Sequence, residues 1–204
     1  MSHVLGLDVS TTATKAVLLD AEGTVHADVE PGPGDLTRDV RPLGDDDRPW
    51  VRAFIRERWG DEIVVGHGVV YRPHLLAGYV ATDAREPVGL LTYTIDGGSC
   101  EIVTIDAMVE RRGVGSLLIA AVEDAARDAG CARLWLITTN DNERALGFYH
   151  ANGFELVAVH EGAVARSREL KPSIPLENEA GVPIQDEIEM ERRLPPDPGS
   201  NLLT

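Results

Sequence analysis

The spacing of hydrophobic residues changes along the chain, and each change marks a predicted element. Residues 101–107 are apolar and β-branched, which predicts a strand with both faces buried. Apolar residues then recur at three- and four-residue steps, which predicts a helix that opens at Ser116 and ends at Gly130. A second apolar strand is predicted over residues 132–139. The centre of the chain is therefore predicted to be a strand–helix–strand unit.

Weaker patterns on both sides predict further elements. The predicted strands lie at residues 38–43, 78–83, 87–95, 154–160 and 186–194, the last with one face in solvent. A helix ending at Gly60 precedes residues 61–76, which lack a regular pattern, as does the Pro-rich segment 171–185. The pattern thus predicts a domain of the α/β class.

The first 36 residues form a separate predicted segment. Residues 4–20 have the pattern of a strand, a Ser/Thr-rich turn and a strand, and residues 24–28 add a third strand to this N-terminal β-hairpin. A Pro/Gly linker follows at residues 31–35. Residues 1–30 resemble the N-terminus of FGGY-type sugar kinases, but 204 residues leave no room for the rest of such a kinase. We expect a fragment without a working nucleotide site, and a frayed tail at residues 195–204.

A Gly-rich turn joins the central strand to its helix. The free N–H groups and the dipole of a helix N-terminus attract anions, and glycines let the backbone come close. The third glycine of a dinucleotide motif is replaced by Leu118, and no Gly-Lys-Ser/Thr follows. The turn predicts a pyrophosphate site, with a plain tight turn as the alternative.

The residues after the second strand resemble a block of the GNAT acetyltransferase superfamily. Asn142, Ala145, Tyr149, Gly153 and Phe154 are in register with its pattern of Asn-x-x-Ala-x-x-x-Tyr followed by Gly-Phe. The resemblance covers residues 37–194 and implies a GNAT fold, an α/β domain with a mixed central β-sheet flanked by helices. It also implies binding of acetyl-CoA as cosubstrate. The coenzyme-binding residues that it implies are Ile105, Asp106, Ala107, Arg111, Arg112, Gly113, Val114, Gly115, Ser116 and Asn142.

One position departs from the family pattern. Glu110 stands where the phosphate turn commonly begins with Arg or Gln, and a carboxylate repels phosphate. Either Arg111 or Arg112 supplies the positive charge instead, or the loop is locally shortened.

Two residues are candidates for proton transfer. Under strict alternation Glu101 shares a face with Val103 and Ile105, and a carboxylate among apolar neighbours suits a general base. Its position also resembles that of the catalytic Glu in the histone-acetylating branch of the family; the alternative is an ordinary strand-end Glu in solvent. Tyr149 has the family position for protonating the departing thiolate, with core packing as its alternative. Asn142 is expected to contact the pantetheine, to cap its helix, or both.

Composition narrows the choice of partners. A net charge of −15 argues against nucleic acid or an anionic membrane and favours a cationic acceptor. Cys100 and Cys131 lack metal-ligand spacing, so we expect buried free thiols and no metal. The absence of a membrane-length apolar run and of a signal peptide predicts a cytoplasmic protein.

Three functions are consistent with these features. The first is an acetyl-CoA-dependent N-acetyltransferase that acetylates a primary amine of a small molecule or a protein. The second is a non-catalytic module that binds and senses acyl-CoA. The third is nucleotide binding through residues 8–15. The acceptor is not specified by the sequence, and a homodimer is left open.

Overall fold

The computed structural model describes residues 4–10, 13–19, 25–29, 38–109 and 112–195. Contacts divide the chain into two units, residues 1–37 and 38–204. The first unit contains three antiparallel strands in the order β1-β2-β3, at the positions that the sequence predicts: β1 (Val4–Ser10), β2 (Ala13–Leu19) and β3 (Val25–Val29). The linker at residues 31–35, residues 196–204 of the tail, and Glu110 and Arg111 lie outside the described residues.

The second unit is built on a seven-stranded mixed sheet with the order β11-β12-β10-β9-β8-β7-β4. Its strands are β4 (Arg38–Pro42), β7 (Ala77–Asp83), β8 (Glu86–Asp96), β9 (Ser99–Ala107), β10 (Arg133–Thr139), β11 (Glu155–His160) and β12 (Glu187–Arg193). A separate hairpin pairs β5 (Val64–Gly66) with β6 (Val69–Tyr71). The helices are α1 (Arg48–Trp59), α2 (Val114–Asp128), α3 (Glu143–Ala151) and α4 (Ala163–Leu170). The predicted α/β class with a mixed sheet is confirmed.

Helices cover both faces of this sheet. The stripe Val114, Leu118, Ile119, Val122 and Ala126 of α2 is buried in the larger core, together with Leu91 of β8 and residues of α3. Leu90, which points to the opposite face of β8, packs with Val51 and Ile55 of α1. The central helix begins two residues before the predicted Ser116, and Gly130 ends it in the left-handed region at φ 71°.

The sheet opens at its centre, between β9 and β10. These two strands are parallel because α2 connects them as a crossover, whereas the other described pairs of the sheet are antiparallel. Their ladder joins residues 99–102 to residues 133–136 and ends there. Beyond it, residues 104–107 pair only with β8, and residues 137–139 pair only with β12. A gap therefore separates the carboxyl-terminal halves of β9 and β10.

A β-bulge beside this gap corrects one sequence expectation. Thr92 pairs with Thr104 whereas Tyr93 pairs with Ile102, so Val103 is an extra residue in β9. A buried 2.7 Å hydrogen bond between the Thr92 and Thr104 hydroxyls lies next to the bulge. Val103 packs on the α1 side, whereas Ile105 packs into the core on the α2 side. The prediction that Ile105 shares a face with Glu101 is therefore wrong, because the bulge interrupts strict alternation.

Two elements depart from the predicted loops. Residues 64–71, expected to be irregular, form the β5–β6 hairpin, whose turn contains His67 at φ 40° and Gly68 at φ 80°. Helix α4 occupies residues for which the pattern predicts no element. Cys100 and Cys131 are buried free thiols, as predicted. Within the described ranges, no helix combines the length and apolarity that a membrane span requires.

Candidate active site

Two cavities meet at the gap between β9 and β10. The hairpin cavity, of about 380 Å³, lies between the β5–β6 hairpin and the sheet. The helix cavity, of about 450 Å³, is bounded by the first turn of α2 and by α3. The residues that line both cavities are Arg58, Ile105, Asp106, Asn142, Ala145 and Tyr149. An elongated ligand can therefore extend from one cavity into the other through the opened sheet.

The first turn of α2 presents its backbone to the helix cavity. Gly113, at φ 73°, adopts a left-handed conformation that a side chain would disfavour, and the helix starts directly after it. Val114, Gly115 and Ser116 also line the cavity, and the N–H groups of a first helical turn have no partner within their own helix. This end of the cavity is suited to an anionic group.

Gly115 has a second role that its sequence context does not reveal. A Cβ atom at this position would lie 2.7 Å from Cζ of Phe148, so only glycine lets the Phe148 ring of α3 pack against α2. Arg112 is exposed beside the turn, and Arg144 of α3 lines the helix cavity. Arg111, the other predicted cation, lies outside the described residues.

Asn142 caps helix α3 where α3 borders both cavities. Its side-chain oxygen accepts a hydrogen bond of 3.1 Å from the Ala145 backbone N–H. This is the capping role that the sequence predicts. The residue also lines both cavities, so the cap leaves Asn142 beside any ligand that crosses the gap.

Tyr149 occupies a buried position at the junction of the cavities. The residue is only 8% exposed, and its ring lies near the rings of Phe148 and Phe154, with centroids 5.3 and 5.7 Å away. No other described residue forms a hydrogen bond with its hydroxyl, although the residue lines both cavities. Burial raises the pKa of Tyr149, and the nearby Asp106 carboxylate raises it further. The phenol therefore keeps its proton at neutral pH and can donate it.

The end of β9 forms one wall of the gap. Because the ladder with β10 stops at Ile102, the backbone groups of Ile105, Asp106 and Ala107 on that side face the opening. The Asp106 carboxylate points to the α1 face, where Trp59 Nε1 donates a 2.7 Å hydrogen bond to it. Helix α1 thus holds this end of the strand in place.

Glu101 is buried in the hairpin cavity, at 6% exposure, in a polar environment. The Tyr71 hydroxyl donates a 2.8 Å hydrogen bond to its Oε2, and His67 Nε2 lies 3.0 Å from its Oε1. The expectation of apolar neighbours is therefore wrong, because the hairpin brings two polar side chains onto the carboxylate. The alternative of a solvent-exposed strand-end Glu is also excluded. Glu101 pairs with Trp135 and Thr94, within the sheet.

His67 is fixed from three directions. Its backbone N–H donates a 2.9 Å hydrogen bond to Glu187 Oε2, its ring lies 5.3 Å from the Trp135 ring, and its Nε2 contacts Glu101. A non-glycine residue at φ 40° is strained unless its surroundings hold it there. The hydrogen bond with the Glu101 carboxylate raises the pKa of His67 despite partial burial. Burial and the same carboxylate raise the pKa of Tyr71.

Three residues of this site, His67, Tyr71 and Glu187, were not predicted from the sequence. The nearest pattern is the pair of apolar runs around Gly66-His67-Gly68, which is typical of a hairpin. Glu187 occupies the predicted wet face of the last strand, yet it is 2% exposed and also accepts a 2.6 Å hydrogen bond from Ser167 of α4. The prediction that this face of the last strand lies in solvent is therefore wrong at Glu187, because α4 covers this end of β12.

Comparison with known proteins assigns this architecture to a class. A model of the acetyltransferase (GNAT) family matches residues 35–154, more than half of the chain. The opened sheet with a Gly-rich helix start beside the opening is thus a GNAT-type α/β domain. The chain belongs to the GNAT acetyltransferase family.

Individual proteins share sequence or fold with this chain. The uncharacterized protein YdhI of Bacillus subtilis (strain 168) is 43% identical over 137 residues, which cover 66% of this chain and 85% of the relative. The IAA acetyltransferase of Bacillus cereus ATCC 14579 is 17% identical with a TM-score of 0.58, covering 78% of this chain and all of the other. A Bacillus subtilis acetyltransferase in complex with CoA is 17% identical with a TM-score of 0.54, covering 78% and 99%. At these identities the solved structures support the fold alone.

Proposed function

We propose that this protein is an acetyl-CoA-dependent N-acetyltransferase that acetylates a primary amine of a small molecule or a protein. One observation carries the proposal: a gap through the sheet joins two cavities and has a buried carboxylate, Glu101, in one cavity and a buried phenol, Tyr149, at their junction. Acetyl transfer to an amine needs a base for the amine proton and an acid for the thiolate, and these two groups supply them.

The helix cavity is the proposed coenzyme site. The pyrophosphate is held by the N–H groups of Val114, Gly115 and Ser116, assisted by Gly113 and by the charges of Arg111 and Arg112. The pantetheine follows the open edge of Ile105, Asp106 and Ala107 and passes Asn142. The thioester then reaches the gap beside Tyr149. The Bacillus subtilis acetyltransferase of similar fold was solved in complex with CoA, which supports this choice of ligand.

The proposed reaction proceeds by direct attack. The neutral amine nitrogen bonds to the thioester carbonyl carbon, and backbone N–H groups at the open edge of β9 stabilise the oxyanion. Glu101 accepts the proton that the amine loses. The C–S bond then breaks, Tyr149 protonates the thiolate, and its phenolate regains a proton from solvent. His67 and Tyr71 do not contact the reacting atoms in this scheme; they hold the Glu101 carboxylate in place.

Two measurements test the proposal. Calorimetry should detect acetyl-CoA binding, and a thiol-release assay over a broad amine panel should identify at least one substrate. Binding without thiol release from any amine would favour the alternative, a non-catalytic module that binds and senses acyl-CoA. Failure to bind acetyl-CoA would reject both functions.

The first 36 residues are proposed to be dispensable for this activity. The contacts of the chain separate residues 1–37 from residues 38–204, and every residue of the proposed site belongs to the second unit. Deletion of residues 1–36 should leave acetyl-CoA affinity and the melting temperature of the remaining domain nearly unchanged. A truncated protein that is insoluble or has lost the ligand would contradict this boundary. Stabilisation of the full chain by ATP would instead favour the nucleotide-binding alternative.

A further inference from the structure

The hairpin cavity is strongly negative. Among the described residues that line it, Glu101, Asp106 and Glu187 have carboxylates, whereas Arg58 is the one cation, which leaves a formal charge of −2. Glu101 and Glu187 are buried, so water screens their charges weakly. The net charge of the cavity therefore favours a cation over an anion.

Neutral donors, rather than cations, satisfy most of these carboxylate oxygens. Glu187 accepts its two bonds from the Ser167 hydroxyl and a backbone N–H. Asp106 accepts its shorter bond from the Trp59 indole, and its contact with Arg58 is 3.4 Å long. Hydrogen bonds from neutral groups stabilise a carboxylate without cancelling its charge. The negative charge of the cavity wall thus remains available to a ligand.

The other nearby cations of the described chain are engaged elsewhere. Lys171 is 6% exposed and donates to the carbonyl oxygens of Trp59 and Ile63, at 2.9 and 3.0 Å, behind the cavity wall. Arg133 is bound to two carboxylates of β12 at 3.1 and 2.9 Å. Of the described residues that line the cavity, only Arg58, at the border with the helix cavity, could therefore pair with a carboxylate on the acceptor. His67 lies outside that lining and is already hydrogen-bonded to Glu101 at 3.0 Å.

The same cavity has features that suit an ammonium group. Its wall includes the aromatic side chains of Trp59 and Tyr71, and ring faces attract cations. The Tyr149 hydroxyl has no hydrogen-bond partner among the described residues, although the residue is only 8% exposed, and it marks the end of the cavity at which a ligand is expected. The polarity of the cavity thus matches a charged amine with no acidic group.

We propose that the acceptor is a cationic amine without a carboxylate, and that the cavity discriminates against amino acids. This inference rests on the proposed function, since it concerns the second substrate of that reaction. The ammonium enters along the negative wall and loses one proton to solvent; the neutral nitrogen then attacks and passes its second proton to Glu101, as in the proposed reaction. A carboxylate next to the amine would be placed among Glu101, Asp106 and Glu187, where it is repelled.

Matched substrate pairs test the proposal directly. Tyramine and tyrosine, histamine and histidine, and 1,5-diaminopentane and lysine differ within each pair by one α-carboxylate. For every pair with measurable thiol release, kcat/KM for the decarboxylated member should be higher by at least about tenfold, or about 1.4 kcal/mol. Equal or better turnover of the amino acids would overturn the proposal and leave the acetyltransferase function intact.

If no pair gives measurable thiol release, a binding measurement tests the proposal instead. The same compounds are titrated by calorimetry into the complex of the protein with CoA. The amine should bind at least about tenfold more tightly than its amino acid. If neither member of any pair binds, or if the amino acid binds as well, the proposal is wrong. Absence of thiol release would count against the proposed function alone.

Two variants test whether the charge of the cavity causes the preference for the amine over its amino acid. Asp106→Asn removes one negative charge and keeps an oxygen for Trp59, so the preference for the amine should shrink by at least about threefold. Arg58→Gln removes the cation, so the preference should grow. Because each value is a ratio of two substrates on one enzyme, a general loss of activity cancels. A preference for amino acids that disappears in Arg58→Gln would show that Arg58 binds a substrate carboxylate, and would overturn the proposal.

Discussion

Replacement of Glu101 by glutamine separates its structural role from its proposed chemical role. In the wild type, Glu101 Oε2 accepts a 2.8 Å hydrogen bond from Tyr71, and Oε1 lies 3.0 Å from His67 Nε2. In Glu101→Gln the amide oxygen can accept from Tyr71, and the amide NH₂ can donate to the neutral His67 ring in its other tautomer. Both contacts are preserved, but the side chain can no longer accept a proton.

The two roles predict effects of very different size. Exchange of a charged acceptor for a neutral one should reduce the free energy of unfolding by about 1 kcal/mol, a shift of about 2–4 °C in melting temperature. Loss of a general base should reduce turnover by about 10²–10⁴, equivalent to about 2.7–5.5 kcal/mol in activation free energy. The loss of activity should therefore exceed anything that the loss of stability can explain.

The assay compares turnover with binding. Thiol release is measured at saturating acetyl-CoA with the best amine from the panel, and calorimetry measures the affinity for acetyl-CoA. This affinity should change less than about threefold, because the carboxylate lies in the hairpin cavity and the proposed coenzyme site is the helix cavity. Tyr71→Phe is the matched control, because it removes a donor to Glu101 and keeps the carboxylate. It should retain more turnover than Glu101→Gln. A Glu101→Gln protein with wild-type turnover would refute Glu101 as the base.

Three further predictions follow from contacts in the site. Tyr149→Phe should lower turnover by about tenfold or more. The melting temperature should change little, because the hydroxyl has no partner among the described residues. The loss of turnover should be smaller for acyl donors with better leaving groups, and normal turnover with acetyl-CoA would contradict the donor role. Gly115→Ala should lower the free energy of unfolding by about 1–3 kcal/mol, since its Cβ would lie 2.7 Å from Phe148. In the matched control Gly147→Ala the new Cβ would have no atom within 4 Å, so this change should not destabilise the protein. Equal melting temperatures of the two variants would contradict the packing of Gly115 against Phe148. His67 has a raised pKa in the folded state, so its stabilising contribution is fully present below its ordinary value of 6.5 and is lost as the pH rises through the folded value. The stability gap between wild type and His67→Gln should therefore be larger at about pH 5.5 than at about pH 8.5 in thermal unfolding, and an equal gap would contradict the pairing with Glu101.

Local sequence was sufficient to predict the elements around the gap. The strand that became β9, the turn at Gly113, the helix that ends at Gly130 and the cap at Asn142 were all predicted and are present. Each depends on residues close together in the chain: hydrophobic period, backbone freedom of glycine, or a side chain that reaches a backbone N–H three residues on. Such interactions can be deduced without knowledge of the rest of the fold. The assignment of roles to Glu101 and Tyr149 remains a prediction.

Contacts between distant segments determine what surrounds those elements. The bulge at Val103 depends on pairing with β8, and it moves Ile105 to the other face of the sheet. His67 lies 34 residues from Glu101 in sequence and 120 from Glu187, yet it contacts both. A glutamate in a strand has the same sequence pattern whether its carboxylate faces water or a histidine of another segment. Only the packing of the folded chain sets the solvation of that carboxylate, and with it the chemistry that the residue can perform.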